Sequence, residues 1–504
     1  MAARTALTAV TRPRRLWAAF GLGAAAALGH APLGLWPVAL LGLAGIVALV
    51  AGADTAGRAA RRAWIAGGGY FAASLNWIVE PFLVDIARHG WMAPFALVLM
   101  AFGLALFWAA AGWLSARLVA GRAARGLLFA IVLVLAEALR GYVFTGFPWA
   151  LIGHVWIGTP VMQLAALGGP HLLSLIAVLA ATLPVALAAG QARAAGLALS
   201  VLLVAGTWGA GALRLAAPVP GRPDAPLIRV IQPNAAQHLK WRRDMIPLFW
   251  ERQLALTAYP QGPRPDLVIW PETSVPFMLE RAGGALDEIA AAARGAPAIV
   301  GVQRREGRRT FNSLAVVGPD GALGQVYDKH HLVPFGEYVP FAGVLGRLGI
   351  KGLAANDVYG YAAGPGAALI DLGRLGQALP LICYEAIFPR DVRAAPGRAD
   401  WLLQITNDAW FGRWTGPYQH LAQARLRAVE QGLPMVRAAN TGVSAMIDAR
   451  GRFVDRLALN SAGQFTAPLP PALPATPYAR TGDAPALLVL VLAGAGLVAA
   501  RRRK

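Results

Sequence analysis

The segment from Trp91 to Ala116 contains no charged side chain and is long enough to cross a lipid bilayer as one helix. Similar apolar segments recur along the chain. We predict membrane spans at 16–30, 33–52, 63–80, 91–116, 127–145, 161–189, 195–213 and 484–500. The first is short and follows several arginines, so a signal-peptide core is the alternative for that segment. The sequence therefore predicts a multi-pass α-helical membrane bundle of about eight spans.

Composition agrees with a membrane protein. Apolar residues make up 57% of the 504 residues and charged residues 14%, and the mean hydropathy is +0.50. Soluble proteins usually carry about 25% charged residues. The net charge of +20 is also typical of proteins that bind nucleic acid, but much of the arginine lies in short clusters between apolar segments. Such clusters mark the cytoplasmic side of a membrane, so we expect a membrane as partner and no nucleic acid.

The arginine clusters also predict an orientation. Alternate connections between the spans are rich in arginine, at Arg4, Arg12, Arg14, Arg15, Arg58, Arg61, Arg62, Arg117, Arg122, Arg125 and Arg193. Placing these connections and the basic tail in the cytoplasm puts both chain termini there. Residues 1–215 then form a bundle of seven spans, and 484–500 form a C-terminal transmembrane helix. In a bacterial inner membrane, the region between them is periplasmic.

Between about 225 and 470, short β-type runs alternate with helical ones. Strands are predicted at 227–232, 267–270, 298–302, 313–317, 378–383, 401–406, 435–439 and 443–448. Helices are predicted near 242–258, 284–294 and 418–432, and hairpin turns at 319–321 and 448–451. A region of this length is sufficient for one α/β domain with its own core.

Three side chains in this domain form a candidate catalytic set. Cys383 is the only cysteine and ends a predicted strand, where a substrate can reach it. A thiol needs a base to take its proton and positive charge to stabilise the oxyanion that forms. Glu272 also follows a predicted strand and is the candidate base. Lys329 is the candidate cation that stabilises the oxyanion, and a backbone N–H near Tyr384 is a candidate to stabilise it as well.

Each of these residues also has an ordinary structural role when it is considered alone. A lone cysteine is often a small buried apolar residue. Glu272 alone fits a carboxylate at a helix N-terminus, and Lys329 alone fits the surface. His330 and His331 suggest a metal, but adjacent side chains on a strand diverge and no further ligand is suitably spaced. We therefore predict no metal site and no cofactor.

The surroundings of the three residues resemble the motifs of the carbon–nitrogen hydrolase (nitrilase) superfamily. Trp-Pro-Glu ending at Glu272, Asp-Lys-His around Lys329, and Cys-Tyr-Glu starting at Cys383 match its three triad motifs. The resemblance implies a nitrilase-like α-β-β-α sandwich. It also implies that Glu272 is the base, Lys329 the oxyanion stabiliser and Cys383 the nucleophile.

Several spans before this domain and one after it are similar to the apolipoprotein N-acyltransferase family. Segments 232–234, 329–340 and 407–412 also carry that resemblance. The residues that it places at or near the site are Glu337, Tyr384 and Glu385 as supporting groups, and Trp241 and Asn312 as substrate-binding groups. From their chemistry, Glu337 and Glu385 are expected to hold Lys329 and Glu272 in place.

Two further features concern access to the site. Trp410 and Phe411 lie in a glycine-containing loop, where they either belong to the core or form a cover that touches lipid and substrate. The segment 341–362 combines glycines with apolar side chains and is predicted to be a mobile cover.

The resemblance implies an enzyme of lipoprotein maturation. An acyl chain would pass from a membrane phospholipid, with phosphatidylethanolamine as the expected donor, to the N-terminal amine of a diacylglyceryl-cysteine apolipoprotein. Cys383 would hold that chain as a thioester in a ping-pong mechanism. Both substrates lie in the bilayer, and exposing acyl chains to water costs about 0.8 kcal/mol per CH₂. The alternatives are a membrane-tethered amidase or nitrilase that hydrolyses a small C–N substrate, and a non-enzymatic membrane scaffold.

Overall fold

The computed structural model describes residues 2–187, 191–219, 221–341, 352–353 and 360–502. Most of the cover predicted at 341–362 therefore lies outside the described residues. The chain forms two compact units. The first contains Met1–Val79, Trp91–Ala217 and Pro477–Lys504, and the second contains Glu80–Gly90 and Pro218–Thr476.

The α-helices of the described residues are numbered here in chain order. They are α1 (Ala2–Ala27), α2 (Trp36–Ala51), α3 (Ala56–Ser74), α4 (Glu80–Leu83), α5 (Ile86–His89), α6 (Ala93–Leu118), α7 (Arg122–Arg140), α8 (Ala165–Ala186), α9 (Gln191–Ala216), α10 (Gln237–Lys240), α11 (Ile246–Thr257), α12 (Gly283–Ala293), α13 (Pro389–Arg393), α14 (Gly416–Gln431), α15 (Pro477–Thr481) and α16 (Ala484–Arg502).

The first unit is a helical bundle in which α3 packs against α1 and α6. Glycines allow α1 and α3 to approach closely. A side chain at Gly23 would collide with the backbone of Ala66, and one at Gly69 would collide with the backbone of Phe20. Close contact through small residues is a common way for helices to associate inside a membrane.

Three segments of the described chain are long and apolar enough to cross a membrane. They are Ile86–Leu118, Pro160–Ala186 and Ala192–Ala216. They overlap the predicted spans 91–116, 161–189 and 195–213. Trp36–Ala51 and Ala484–Ala500 are apolar but shorter. The full set of eight spans therefore stays a prediction.

The second unit contains two six-stranded sheets. The strands are β1 (Leu227–Gln232), β2 (Leu267–Ile269), β3 (Ala298–Glu306), β4 (Arg309–Val317), β5 (Leu323–Asp328), β6 (Ile370–Asp371), β7 (Gln377–Ile382), β8 (Trp401–Thr406), β9 (Met435–Ala439), β10 (Ala445–Ile447), β11 (Phe453–Arg456) and β12 (Gly463–Pro468). Their orders are β12-β1-β2-β3-β4-β5 and β11-β10-β9-β8-β7-β6. In each sheet three central strands are parallel, β1-β2-β3 and β7-β8-β9.

Helices cover the outer face of each sheet. On the first sheet, Trp270 and Val300 pack in one core with Leu286 and Ile289 of α12. On the second, Leu402 packs in a core with residues of α13 and α14. The two sheets face each other, with β1 in contact with β9 and β4 with β7, and Ser444 N donates to Gln232 Oε1 at 3.0 Å. This is the α-β-β-α sandwich that the sequence predicted.

The topology brings the predicted chemical residues to one edge of the sandwich. Strands β2, β7 and β8 end just before Glu272, Cys383 and Asn407. Lys329 follows β5, which runs in the same direction as β3 because both are antiparallel to β4. Carboxyl ends of parallel strands are the usual place for a site in an α/β fold.

Candidate active site

Cys383 lies at a sharp turn. It is the first residue after β7 and opens a 3-10 turn over Cys383–Ile387. Its φ angle is +52°, in the left-handed region that non-glycine residues seldom occupy. Holding such a residue there costs on the order of 1–3 kcal/mol, so the surrounding contacts must fix it. We refer to Cys383 with this turn as the Cys383 elbow.

Glu385 ties the elbow to the end of β5. This fully buried carboxylate accepts hydrogen bonds from Ile382 N at 2.7 Å, His330 N at 2.8 Å and the Tyr327 hydroxyl at 2.9 Å. Burial opposes its ionisation, but the bonds and charge of His330 and the backbone N–H groups lower its pKa overall. Glu385 was expected to help hold Lys329 and Glu272. It instead accepts hydrogen bonds from main-chain N–H groups at the end of β7 and just after β5.

Lys329 lies between two carboxylates. Its Nζ is 2.8 Å from Glu337 Oε1 and 3.6 Å from Glu272 Oε1, and the side chain is only 1% exposed. Burial alone would lower the pKa of Lys329, but Glu337, Glu272 and Cys383 together raise it above its ordinary value. Lys329 is therefore a charged ammonium at neutral pH, and Glu337 is its nearer carboxylate partner.

Glu272 is held by neutral donors as well as by Lys329. Its Oε1 accepts from Asn312 Nδ2 at 2.7 Å, and its Oε2 accepts from Asn407 N at 2.8 Å. The same Asn312 nitrogen lies 3.1 Å from Glu337 Oε1 and donates to it. Asn312 therefore links the two carboxylates that flank Lys329, and its amide fixes their spacing.

The thiol of Cys383 is buried and is stored as a protonated group. Burial and then the negative charge of Glu272 raise its pKa, while Lys329 and a hydrogen bond with Thr406 lower it by less. A thiol in this state needs proton removal at the moment of attack. The charges of Glu272 and Lys329 both act on the pKa of this thiol, so the fold brings the three predicted residues close together.

The other predicted residues lie around this centre in different ways. Tyr384 is buried, with its ring edge-on to His331 at 5.6 Å between centroids. Trp241 is 42% exposed and lies beside Lys240 rather than among the three central residues. Trp410 is half-buried in the turn Asp408–Phe411.

Phe411 is 9% exposed and packs edge-on against His420 at 5.4 Å between ring centroids. Of the two interpretations left open for Phe411, this position favours the core. The adjacent Trp410 keeps more of its surface accessible.

Sequence reasoning missed several residues that build the site. Lys240 Nζ donates to Glu272 O at 3.2 Å and to Thr273 Oγ1 at 2.9 Å. The pKa of Lys240 is lowered to about 8, mainly by burial and against the charge of Glu272. Thr406 and Asn407 contact the thiol and the base from the end of β8. Thr406 ends a buried strand, and Asn407 opens the segment 407–412 that carries the family resemblance, but neither was assigned a role from the sequence.

Comparison with known proteins gives the family. Family models match residues 22–183 (apolipoprotein N-acyltransferase N-terminal domain) and 236–474 (carbon-nitrogen hydrolase). An apolipoprotein N-acyltransferase from Caulobacter vibrioides is 40% identical, with 95% of this chain and 93% of that protein covered. One from Brucella melitensis is 37% identical, with 97% of both covered. The chain belongs to the apolipoprotein N-acyltransferase family.

Membership in the apolipoprotein N-acyltransferase family confirms the predicted class of reaction. The chain is an acyltransferase that acts in lipoprotein N-acylation, with a lipoprotein acceptor and a lipid donor. The carbon–nitrogen hydrolase match confirms the predicted nitrilase-like domain.

Two solved structures are similar to part of this chain. A carbon-nitrogen hydrolase from Helicobacter pylori G27 gives a TM-score of 0.35 at 16% identity, covering 48% of this chain and 87% of that chain. An amidase from Nesterenkonia sp. gives a TM-score of 0.36 at 20% identity, covering 53% of this chain and 97% of that chain.

Proposed function

We propose that the acyl chain is transferred in two half-reactions through a thioester on Cys383. In the first, Glu272 takes the thiol proton while Sγ attacks the ester carbonyl carbon of a phospholipid, which we take to be phosphatidylethanolamine. The ester C–O bond breaks, and Glu272 returns the proton to the leaving alkoxide. A lysophospholipid departs, and the acyl chain remains on sulfur.

In the second half-reaction, the neutral α-amine of a diacylglyceryl-cysteine apolipoprotein attacks the thioester carbonyl. The C–S bond breaks and an amide bond forms. The amine proton passes to Glu272 and then to the departing Cys383 thiolate, so the enzyme returns to its resting state. The raised pKa of Cys383 favours this last protonation, because burial and Glu272 disfavour a free thiolate.

The observation that carries this proposal is the position of Lys329. It is the cation of a buried set with Glu272 and Glu337, and its charge is coupled to the Cys383 thiol. In each half-reaction a negative oxygen develops on the carbon bonded to Sγ. A fixed cation in a water-poor site stabilises that oxygen without reorganising.

We infer that the substrates contact the exposed side chains around this centre. Trp241 lines a small cavity with Lys240, Phe249 and Trp250, so an apolar part of a substrate can reach its ring. Trp410 is proposed to border the path of the acyl chain, with the less exposed Phe411 packed beside it. Asn312 is proposed to act on the substrate through the two carboxylates that it links.

We further propose an inner-membrane protein with eight spans, both termini in the cytoplasm and the catalytic domain in the periplasm. The three apolar segments and the arginine-rich connections support this topology. The proposed domain limits are 1–215, 225–470 and 484–500. A catalytic domain anchored in this way works on substrates that never leave the bilayer.

An assay with purified protein and a synthetic diacylated lipopeptide tests the function. In phosphatidylethanolamine vesicles, the wild type should form N-acylated lipopeptide, and Cys383→Ser should not, because a hydroxyl is barely ionised near neutral pH. Vesicles of phosphatidylglycerol with the same acyl chains test the head group. Equal rates in both vesicles would contradict the choice of donor, and product from purified Cys383→Ser would contradict the thioester.

A further inference from the structure

A buried polar cluster lies beneath the Cys383 elbow and is not used in the mechanism above. It consists of Gln404 on β8, Asp408 just after β8, His420 on α14 and Arg437 on β9, and we call it the Gln404 cluster. All four side chains are fully buried. Burying polar and charged groups is costly unless each one is hydrogen-bonded. The bonds within the cluster therefore define its geometry closely.

Two members of the cluster contact the main-chain carbonyl oxygen of Cys383. Gln404 Nε2 donates to Cys383 O at 3.3 Å, and His420 Nε2 lies 3.1 Å from the same oxygen. Gln404 Nε2 is also 3.1 Å from His420 Nε2. The two hydrogens of one amide group can thus serve the carbonyl and the ring nitrogen together.

Arg437 determines which end of the Gln404 amide faces the elbow. Its guanidinium can only donate, and it bonds Gln404 Oε1 and Asp408 Oδ2, each at 2.5 Å. The amide oxygen therefore faces Arg437, and the amide N–H₂ faces Cys383. Asp408 completes the cluster by accepting from His420 Nδ1 at 2.9 Å. Burial opposes ionisation of Asp408, but Arg437 and His420 lower its pKa to about 2.

We propose that the Gln404 cluster positions the Tyr384 amide as an oxyanion donor beside Lys329. The Cys383–Tyr384 peptide is trans, and the C=O and N–H of a trans peptide point in opposite directions. Since the carbonyl is held toward the cluster, the Tyr384 N–H points away from it, toward the side where an ester meets the thiol. The four side chains are positioning residues. This inference rests on the proposed thioester at Cys383.

Two reactions of the same thiol separate this role from a merely structural one. Acylation by a phospholipid passes through a negative oxygen, so it needs the Tyr384 N–H. Alkylation by iodoacetamide is a displacement at a saturated carbon and develops no such oxygen at the attacked atom. A misdirected amide should therefore slow acylation and leave alkylation nearly unchanged.

The variant Gln404→Asn shortens the side chain by one methylene, keeps the amide group and adds no charge. We expect the rate of thioester formation from phosphatidylethanolamine vesicles to fall about 10²-fold, as when an oxyanion donor is removed. The apparent KM and the rate of alkylation should stay within about twofold, since neither depends on the oxyanion. Gln232→Asn is the matched control. Gln232 is equally buried, on β1, and bonds Ala458 O and Ser461 O.

A second variant, Arg437→Lys, keeps the charge but removes the fork that holds Gln404 and Asp408. Arg437→Lys should also slow acylation and leave alkylation nearly unchanged. The test therefore does not depend on the folding of a single variant. Unchanged acylation in a folded variant would overturn the proposal. An equal loss of acylation and alkylation would also overturn it, because the cluster would then act on the thiol itself. If the wild type formed no thioester, the proposed function would fail instead.

Discussion

At the scale of single residues, the resting site is organised around a protonated thiol. Burial and Glu272 raise the pKa of Cys383, and the cation Lys329 compensates only in part. Lys329 itself interacts with two carboxylates. Burial would lower the pKa of Lys329, but Glu337 and Glu272 raise it. The resting geometry thus favours the protonated thiol over the thiolate.

The variant Glu272→Gln should have opposite effects on two reactions of Cys383. Removing the negative charge lowers the pKa of the thiol, because Glu272 is one of the groups that raise it. Alkylation by iodoacetamide at a fixed neutral pH should therefore become several-fold faster. Acylation by phospholipid should become about 10²–10⁴-fold slower, because the general base is lost. If alkylation and acylation both slowed, Glu272 would not act as assigned.

The variant Glu337→Gln should make acyl transfer sensitive to alkaline pH. Glu337 is the strongest of the groups that raise the pKa of Lys329, whereas burial lowers it. Without Glu337 the ammonium loses its proton at a lower pH, so the rate of Glu337→Gln should begin to fall at a lower alkaline pH than the rate of the wild type.

The control for this variant is Glu288→Gln, at an exposed carboxylate that accepts a hydrogen bond from Trp250. Its pH profile should match that of the wild type. Identical profiles for Glu337→Gln and the wild type would mean that Glu337 does not maintain the charge of Lys329.

At the scale of elements, Glu385 fixes the Cys383 elbow by bonding the end of β7 and the residues that follow β5. The carboxylate accepts from the last residue of β7 and from the residues after β5. These bonds join two strands from different sheets at the point where Lys329 and Cys383 leave them. The elbow therefore belongs to the packed interior and is not a free loop.

The variant Glu385→Gln should destabilise the catalytic domain. Its N–H₂ group would face backbone N–H groups, and donors buried without acceptors typically cost about 1–3 kcal/mol each. We expect a clearly lower melting temperature in detergent and reduced acyl transfer. Glu306→Gln is the control, since Glu306 is 56% exposed and pairs with Arg304 and Arg309. An unchanged melting temperature in Glu385→Gln would contradict this account of the elbow.

Buried strands were predictable from the sequence. Strands that are exposed, or that pair with a strand far away in the sequence, were not. β1, β8 and β9 are nearly continuous apolar runs, and their bounds match the prediction. β5 was missed because its first four residues are exposed and give no apolar pattern. β12 pairs with β1 from the other end of the domain, which local sequence does not reveal.

The residues of the candidate site also fall into two groups, those with a local sequence signal and those without one. Glu272 and Cys383 follow predicted strands, and Glu272, Lys329 and Cys383 all carry distinctive neighbours, so the sequence indicated them. Gln404 and Arg437 gave no local signal, because their roles arise from strand pairing that places them side by side.

At the scale of the whole molecule, the chain combines an apolar helical unit with a polar catalytic unit. The topology proposed for the first unit determines which compartment the second one occupies. A reporter that is active only in the periplasm should be active when it is fused after about residue 220 and inactive when it is fused at Lys504. The two fusions serve as controls for each other. Activity at both positions would mean that one of the eight predicted spans is absent, the first being the weakest.

The central claim is that Cys383 stores one acyl group between two lipid substrates. The most direct test is intact-protein mass spectrometry after incubation with phosphatidylethanolamine and no lipoprotein. Wild-type protein should gain the mass of one acyl group, which hydroxylamine removes and which Cys383→Ala never acquires. Adding a diacylated lipopeptide should then discharge it into N-acylated product. If the acyl group appeared on the product only when donor and acceptor were present together, with no acyl-enzyme from donor alone, the transfer would be direct and this account would be wrong.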